Sequence, residues 1–132
     1  MKFFPSLRSA LVRTVSLLAL ATSSLAQTTI NVGSGQAYTT IQAGINAANN
    51  GDTVLVAPGT YYENINFNGK AITVASSGGA AVTTINRGSK GGVATVIFNS
   101  RETSASVISN FTIKGGGDAI FTGSYEANEE CP

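Results

Sequence analysis

The 132-residue sequence has no histidine, no tryptophan and a single cysteine, Cys131, next to its end. Zinc and copper sites are built mainly from histidine and cysteine ligands, so these residues are too few for such a site. One cysteine also excludes an internal disulfide framework. The sequence contains no nucleophile elbow, phosphate-binding loop or histidine-containing triad. We therefore expect no cofactor and assign no catalytic residue.

Charged side chains are scarce, at 11% of the sequence. Residues 27–132 contain five Lys and Arg residues and seven acidic residues, and no basic cluster. Nucleic acids and anionic lipids are recognised mainly through basic patches, so neither is expected as a partner. Long apolar runs are also missing beyond residue 26, whereas crossing a bilayer takes roughly 20 apolar residues. No membrane association is therefore predicted after the leader is removed.

Residues 1–26 are predicted to be a secretory signal peptide. Lys2, Arg8 and Arg13 supply a positive start, and no acidic residue occurs before Asp52. The apolar segment 15–21 is too short to span a bilayer, and Ser24-Leu25-Ala26 offers a small-residue cleavage site. The protein is therefore predicted to be secreted, periplasmic or held at the cell surface.

Short β-branched runs separated by glycine, serine and asparagine dominate the rest of the chain. Leu55 is the only leucine after residue 26, and such Val, Ile and Thr content favours strands. Strands are predicted at residues 53–57, 64–67, 71–75, 82–85, 94–98, 106–108 and 111–113. The Pro58-Gly59 pair predicts a sharp turn.

One short helix is predicted ahead of these strands, at about residues 40–49. Thr39 and Gln42 have the spacing of a capping box. Ile41, Gly44, Ile45 and Ala48 are spaced to share one helix face. Residues 49–51, Asn-Asn-Gly, would end the helix. A helix leading into many short strands suggests a cap over the first coil of a stack.

The centres of the most apolar runs, Leu55, Val74, Val96 and Phe111, recur with an irregular period near 20 residues. This spacing favours a β-solenoid, in which each short strand pairs with its equivalent in the next coil. An antiparallel sandwich is the alternative that the same pattern leaves open. Asparagines near the corners could stack as an amide ladder (Asn64, Asn68, Asn86, Asn99, Asn110).

Several segments resemble the first coils of right-handed parallel β-helix proteins of the pectin lyase-like superfamily. They are residues 38–42, 45–48, 51–54, 58–61, 63–65, 70–74 and 83–85. The resemblance implies an all-β parallel β-helix with an N-terminal capping helix, over residues 27–117. It also implies a polysaccharide-related setting. Residues 118–132 depart from the pattern and are predicted to be an irregular acidic tail, which suggests a truncated fragment.

Two functions remain open. The first is a non-catalytic exported solenoid that binds a polysaccharide or another surface through its flat strand faces. The second is the opening of a polysaccharide-active enzyme resembling pectin methylesterases or pectate lyases, whose catalytic coils would lie downstream. Tyr62 and Glu63 are the predicted substrate-binding residues. Asp52, the other carboxylate near an organised element, is predicted to bind local backbone.

Three further features have structural interpretations. Asp118 and the glutamates of the tail (Glu126, Glu129, Glu130) lack the spacing of a calcium loop, so a solvated tail is predicted. The triplet 110–112, Asn-Phe-Thr, matches a glycosylation acceptor, but it lies in an apolar run, so no glycan is predicted there. The last coil, near residue 113, is followed by no obvious cap, which predicts self-association through that end.

Overall fold

The computed structural model describes residues 26–88, 94–115 and 118–122, and within these ranges the chain forms ten strands and one helix. The helix is α1, Ile41–Ala47. The first five strands are β1 Thr29–Val32, β2 Thr53–Val56, β3 Gly59–Tyr61, β4 Ile65–Asn66 and β5 Thr73–Ser76. The others are β6 Thr83–Asn86, β7 Ala94–Phe98, β8 Val107–Ser109, β9 Thr112–Lys114 and β10 Asp118–Thr122. The predicted signal peptide lies outside the described residues, apart from Ala26.

The strands form three sheets, and every strand pair in the described ranges is parallel. Sheet I has the order β1-β2-β5-β8, sheet II β3-β6-β9, and sheet III β4-β7-β10. Successive strands visit the three sheets in turn, so β2–β4, β5–β7 and β8–β10 are three stacked coils. This confirms the predicted all-β parallel solenoid. The antiparallel sandwich is wrong, because its strands would pair in opposite directions.

The coils are less regular than the predicted period. Thr53 lies opposite Thr73, twenty residues on, but Thr73 lies opposite Val107, so the second step is 34 residues. The period near 20 is therefore correct only for the first step. Val96 belongs to sheet III and Phe111 precedes a strand of sheet II, so the sequence spacing compared strands from different sheets.

Alternate residues of each strand point into a single apolar core. Its fully buried members are Val32, Ile41, Ile45, Val54, Val56, Ile65, Phe67, Val74, Ile85 and Val96. Phe67 and Phe98, from neighbouring coils, stack with ring centroids 4.3 Å apart. The core thus runs through the stack as rows of like residues.

Helix α1 covers the open end of the first coil, as predicted. Ile41 and Ile45 have no exposed surface, Gly44 is buried, and Ala48 is 2% exposed. The helix packs against β1, β2 and β4. Burial of an isoleucine side chain contributes about 1.5–3 kcal/mol, so this face anchors the helix. No helix in the described part of the chain is long and apolar enough to cross a membrane.

The predicted capping box is wrong. The N-cap residue is Thr40, whose hydroxyl accepts a hydrogen bond from Ala43 N at 3.3 Å. Gln42 turns away from the cap and binds the main chain of Asn66: its Oε1 accepts from Asn66 N at 2.7 Å, and its Nε2 donates to Asn66 O at 3.1 Å. The glutamine is used to dock the helix on the first coil, a contact that local spacing cannot show.

Three strands differ from the sequence-based prediction. Strand β1 was not predicted, and β3 lies where the turn at Pro58-Gly59 was expected to continue. Strand β10 occupies residues 118–122, which were predicted to begin an irregular tail; residues 123–132 lie outside the described residues. In all three cases the strand exists because a neighbouring coil offers a parallel partner, which overrides weak local propensity.

An asparagine ladder is not formed by the predicted residues. One amide pair links neighbouring coils, Asn66 Nδ2 to Asn99 Oδ1 at 3.3 Å. Asn64 Nδ2 instead donates to Ala94 O, and the Asn86 amide oxygen accepts from Gly88 N. The corners differ in length between coils, so the amides do not fall into register.

Candidate functional site

Glu63, one of the two predicted substrate-binding residues, is bound to the start of helix α1. Its Oε1 accepts from Ile41 N at 2.8 Å and its Oε2 accepts from Gln42 N at 2.9 Å. These are N–H groups that a helix leaves without an internal partner, and the helix dipole favours a negative charge there. Both carboxylate oxygens therefore have a structural task, and the side chain is half-buried.

Tyr62, the other predicted residue, points to solvent and is 62% exposed. Its ring lies near the corner after β6, where a Cβ added to Gly88 would be 3.9 Å from Tyr62 Cδ1. The preceding Tyr61 is half-buried, and its hydroxyl donates to Ala57 O at 2.8 Å. Burial raises the pKa of Tyr61, as does the charge of Glu63. Tyr61 thus packs the turn as predicted, while Tyr62 remains available for contact.

Asp52 binds main-chain groups, which confirms the structural interpretation made from the sequence. Its carboxylate accepts from Asn49 N at 2.8 Å and from Thr28 N at 2.9 Å, and the residue is 5% exposed. The backbone N–H groups of Asn49 and Thr28 hold the pKa of Asp52 below its ordinary value. The residue fastens the strand before the helix to the corner after it.

Glu102 performs a similar task one coil later. It accepts from Gly69 N at 2.9 Å and from Ser100 N at 2.7 Å, and so joins corners of neighbouring coils. Burial raises the pKa of Glu102, but hydrogen bonds from Gly69, Ser100 and other nearby backbone groups outweigh it and lower the pKa overall. Asp52, Glu63 and Glu102 are thus each held by main-chain donors.

Lys70 binds the other end of helix α1. Its Nζ donates to three carbonyl oxygens, Ile45 O at 2.7 Å, Asn46 O at 2.8 Å and Ala48 O at 2.8 Å. A cation is favoured at this end of the helix dipole. The charges around the first coil are therefore arranged to hold the capping helix.

A paired-carboxylate or metal centre is not formed within the described ranges. No group of three His, Cys, Asp or Glu residues able to hold a metal ion occurs there. Paired-carboxylate chemistry needs two carboxyl groups directed at one bond, with one of them raised in pKa. Asp52 and Glu102 instead have lowered pKa values and main-chain partners. The tail glutamates of the calcium hypothesis lie outside the described residues.

The outer face of sheet I is the most extended regular surface of the stack. Eight residues of β1, β2, β5 and β8 alternate with core residues and therefore point outward. They lie in two rows along the stack, the first Thr29, Thr53, Thr73 and Val107, the second Asn31, Leu55, Ala75 and Ser109. None of them is charged. We call these eight residues the sheet I outer face.

This face carries hydroxyl and amide groups at a fixed repeat. Three threonines are in register on neighbouring strands, which lie about 4.8 Å apart in a sheet. A hydroxyl can both donate and accept a hydrogen bond. A second threonine row, Thr60, Thr84 and Thr112, crosses sheet II in the same way. The solenoid thus turns single threonines, far apart in sequence, into ordered polar rows.

Sequence reasoning named Tyr62 and Glu63 but missed the sheet I outer face. A signal was present: Thr-Ile, Thr-Val and Thr-Val begin β1, β2 and β5, each at the start of an alternating strand. The signal becomes meaningful only once the parallel register is known, because the same pairs in an antiparallel sheet would not align. The structure therefore adds a candidate surface and leaves the binding role of Tyr62 and Glu63 a prediction.

Comparisons of the chain with protein-family models, curated proteins and solved structures find no match.

Proposed function

We propose that this protein is an exported, non-catalytic β-solenoid that binds a neutral polysaccharide through the sheet I outer face. The observation that carries the proposal is the absence of charge among the eight outward residues of this four-stranded sheet. Charged residues supply 11% of the sequence, and those around the first coil bind the helix and the corners instead.

The chemistry of the face suits a polymer of neutral sugars. Threonine, serine and asparagine side chains offer both donors and acceptors, as sugar hydroxyls do. Leu55, Ala75 and Val107 supply apolar surface between them, which matches the apolar faces of sugar rings. Because the strands are held rigidly in the stack, little conformational entropy is lost when a stiff polymer binds.

The sequence resemblance to the pectin lyase-like superfamily supports the same setting. Residues 38–65, which carry most of that resemblance, form the capping helix, β2 and β3 in the structure. Membership of that superfamily, export by the predicted leader and polysaccharide binding together form one proposal: a secreted solenoid acting on or beside cell-wall polymers. The engagement of Asp52, Glu63 and Glu102 by main-chain donors supports a non-catalytic role.

Retention on insoluble polymers tests the proposal. The purified secreted chain would be sedimented with cellulose, with chitin and with de-esterified pectin, and the bound fraction measured by titration. We expect saturable retention on a neutral polymer and weaker retention on anionic pectin, because residues 27–132 contain more acidic than basic residues.

Two matched variants locate the surface. Thr73→Lys places a charge in the middle of the sheet I outer face, and Thr84→Lys places the same charge in sheet II. Both threonines are half-buried and lie in the second coil. We expect Thr73→Lys to weaken binding at least tenfold and Thr84→Lys to leave it unchanged. No retention on any polymer, or equal losses in two folded variants, would reject the proposal.

Tyr62 provides a second contact in this proposal, because aromatic rings stack on sugars and this ring is largely exposed. Tyr62→Ala is expected to reduce retention without changing the thermal midpoint. Glu63→Gln, by contrast, is expected to lower stability more than binding, because the carboxylate is bound to the helix. Unchanged retention of Tyr62→Ala would restrict the binding surface to sheet I.

A further inference from the structure

Asn110 begins the only N-x-Ser/Thr triplet of the sequence, Asn110-Phe111-Thr112. From the sequence alone this triplet was placed within a strand, where a glycan would not fit. The structure corrects that placement. Asn110 lies in the bend between β8 and β9, is exposed, and has φ of 63°, the left-handed conformation that asparagine tolerates in turns.

The side chain of Asn110 is available in a way that most corner asparagines of this protein are not. The amides of Asn64, Asn66 and Asn68 bind main-chain or side-chain groups of neighbouring segments. The Asn110 amide makes no hydrogen bond with any other residue that the structure describes. Thr112 Oγ1 donates to Ala80 O at 2.7 Å, which fixes the second half of the triplet beside the equivalent corner of the preceding coil.

We propose that Asn110 is a site of N-linked glycosylation. The donor is a lipid pyrophosphate-linked oligosaccharide of the secretory compartment. A bond forms between Asn110 Nδ2 and the anomeric carbon of the first sugar, Nδ2 loses one proton, and the lipid pyrophosphate leaves. The proposal uses the predicted export of the chain, because the transferase acts only on exported chains.

The folded protein accommodates such a glycan at this position. The bend projects outward between sheets I and II, so a branched sugar on Nδ2 points away from the core. The same bend belongs to the third coil, whose strands β8 and β9 are the last of their sheets within the described residues. A bulky hydrophilic group there obstructs the approach of a second chain to these strand edges. The glycan therefore also acts as a guard against edge pairing.

The experiment expresses the full chain, with its own leader, in a eukaryotic secretory host and measures the intact mass of the secreted protein. We expect a mass increase of one core glycan, removed by peptide N-glycosidase, which leaves aspartate at position 110. Asn110→Gln and Thr112→Ala should each abolish the increase, while Thr112→Ser should retain it because serine keeps the required hydroxyl.

A control variant separates failure of export from failure of the site. Ala81→Asn, at an exposed turn residue, completes a second acceptor triplet with Val82 and Thr83. In the Asn110→Gln background this variant should gain one glycan, which shows that the chain enters the compartment. Glycosylation of that control together with an unmodified wild type would overturn the proposal. If the control is also unmodified, a host leader replaces residues 1–26, and an unmodified wild type then overturns it as well.

Discussion

Glu63 and Lys70 hold opposite ends of helix α1. The Glu63 carboxylate accepts hydrogen bonds from the first two N–H groups of the helix, and the Lys70 ammonium donates to three carbonyl groups at its end. Both residues come from the first coil, on either side of β4. A seven-residue helix is too short to be stable alone, so these two side chains and the buried isoleucines together fix it.

Removing the Lys70 ammonium should loosen the cap. Lys70→Met keeps the aliphatic stem but leaves three helix carbonyl groups without their donor, so we expect a loss of about 1.5–3 kcal/mol in the free energy of unfolding. The measurement is urea denaturation followed by circular dichroism. The control is Lys114→Met, because Lys114 is exposed on β9, and a change within about 0.5 kcal/mol is expected there. Equal effects from the two substitutions would show that the contact at Lys70 contributes nothing to stability.

Gly44 should resist replacement by the best helix-forming residue. An added Cβ would lie 2.5 Å from Val32 Cγ2 and 3.0 Å from Val54 Cγ1, so the helix would have to move away from β1 and β2. Helix propensity alone predicts that Gly44→Ala stabilises by up to about 1 kcal/mol, whereas overpacking costs about 1–3 kcal/mol. We expect net destabilisation.

A double-mutant cycle identifies the cause. In the Val32→Ala background the methyl group of Gly44→Ala has space, so its cost should shrink or change sign. Thermal denaturation of the four proteins gives the coupling. Additive effects would mean that the close approach of Gly44 to Val32 is not what limits this position.

Acid should destabilise the protein partly through Asp52. Its folded-state pKa is lowered, first by the Asn49 N–H group and next by that of Thr28, so its stabilising effect is complete above the unfolded value. The effect is then lost as the pH falls from about 4 through the lowered pKa. Asp52→Asn should be less stable near neutral pH and should lose less stability on acidification.

Denaturant titrations at several pH values measure this difference in slope. Glu102 also has a lowered pKa, so Asp52→Asn should retain part of the acid sensitivity, and adding Glu102→Gln should reduce it further. An acid dependence identical in wild type and both variants would contradict the assignment.

The third coil should promote self-association when no glycan is attached. Strands β8 and β9 each have one partner strand in the described ranges, and Val107 on β8 is 39% exposed. Unpaired strand edges are templates for pairing with another chain. We expect Val107→Lys to reduce association, measured by sedimentation velocity over a concentration series.

Val82→Lys is the matched control, because Val82 is 53% exposed but precedes β6 in the middle of the stack. Ile113, a choice that the sequence suggested, is less suitable because it is half-buried against the core. A chain that stays monomeric at high concentration without glycan, or that responds equally to both lysine substitutions, would exclude the third coil as an association surface.

Local patterns in the sequence predicted the elements that local physics controls. The spacing of Ile41, Gly44, Ile45 and Ala48 identified the buried helix face, and residues 94–98 were predicted as the strand that is observed. β-Branched content predicted strands, and the resemblance of residues 38–65 pointed to a parallel β-helix. These features depend on alternation and propensity within a few residues.

The tertiary structure alone decided which strands are neighbours and what the polar side chains do. A corner can lengthen from one coil to the next at little cost, so sequence distance does not fix register: Thr73 follows Thr53 by 20 residues, but Val107 follows Thr73 by 34. That register aligns the threonine rows and exposes Asn110. It also brings Glu63 to a helix start more than 20 residues earlier, because unpaired N–H groups bind whichever carboxylate the packing places beside them.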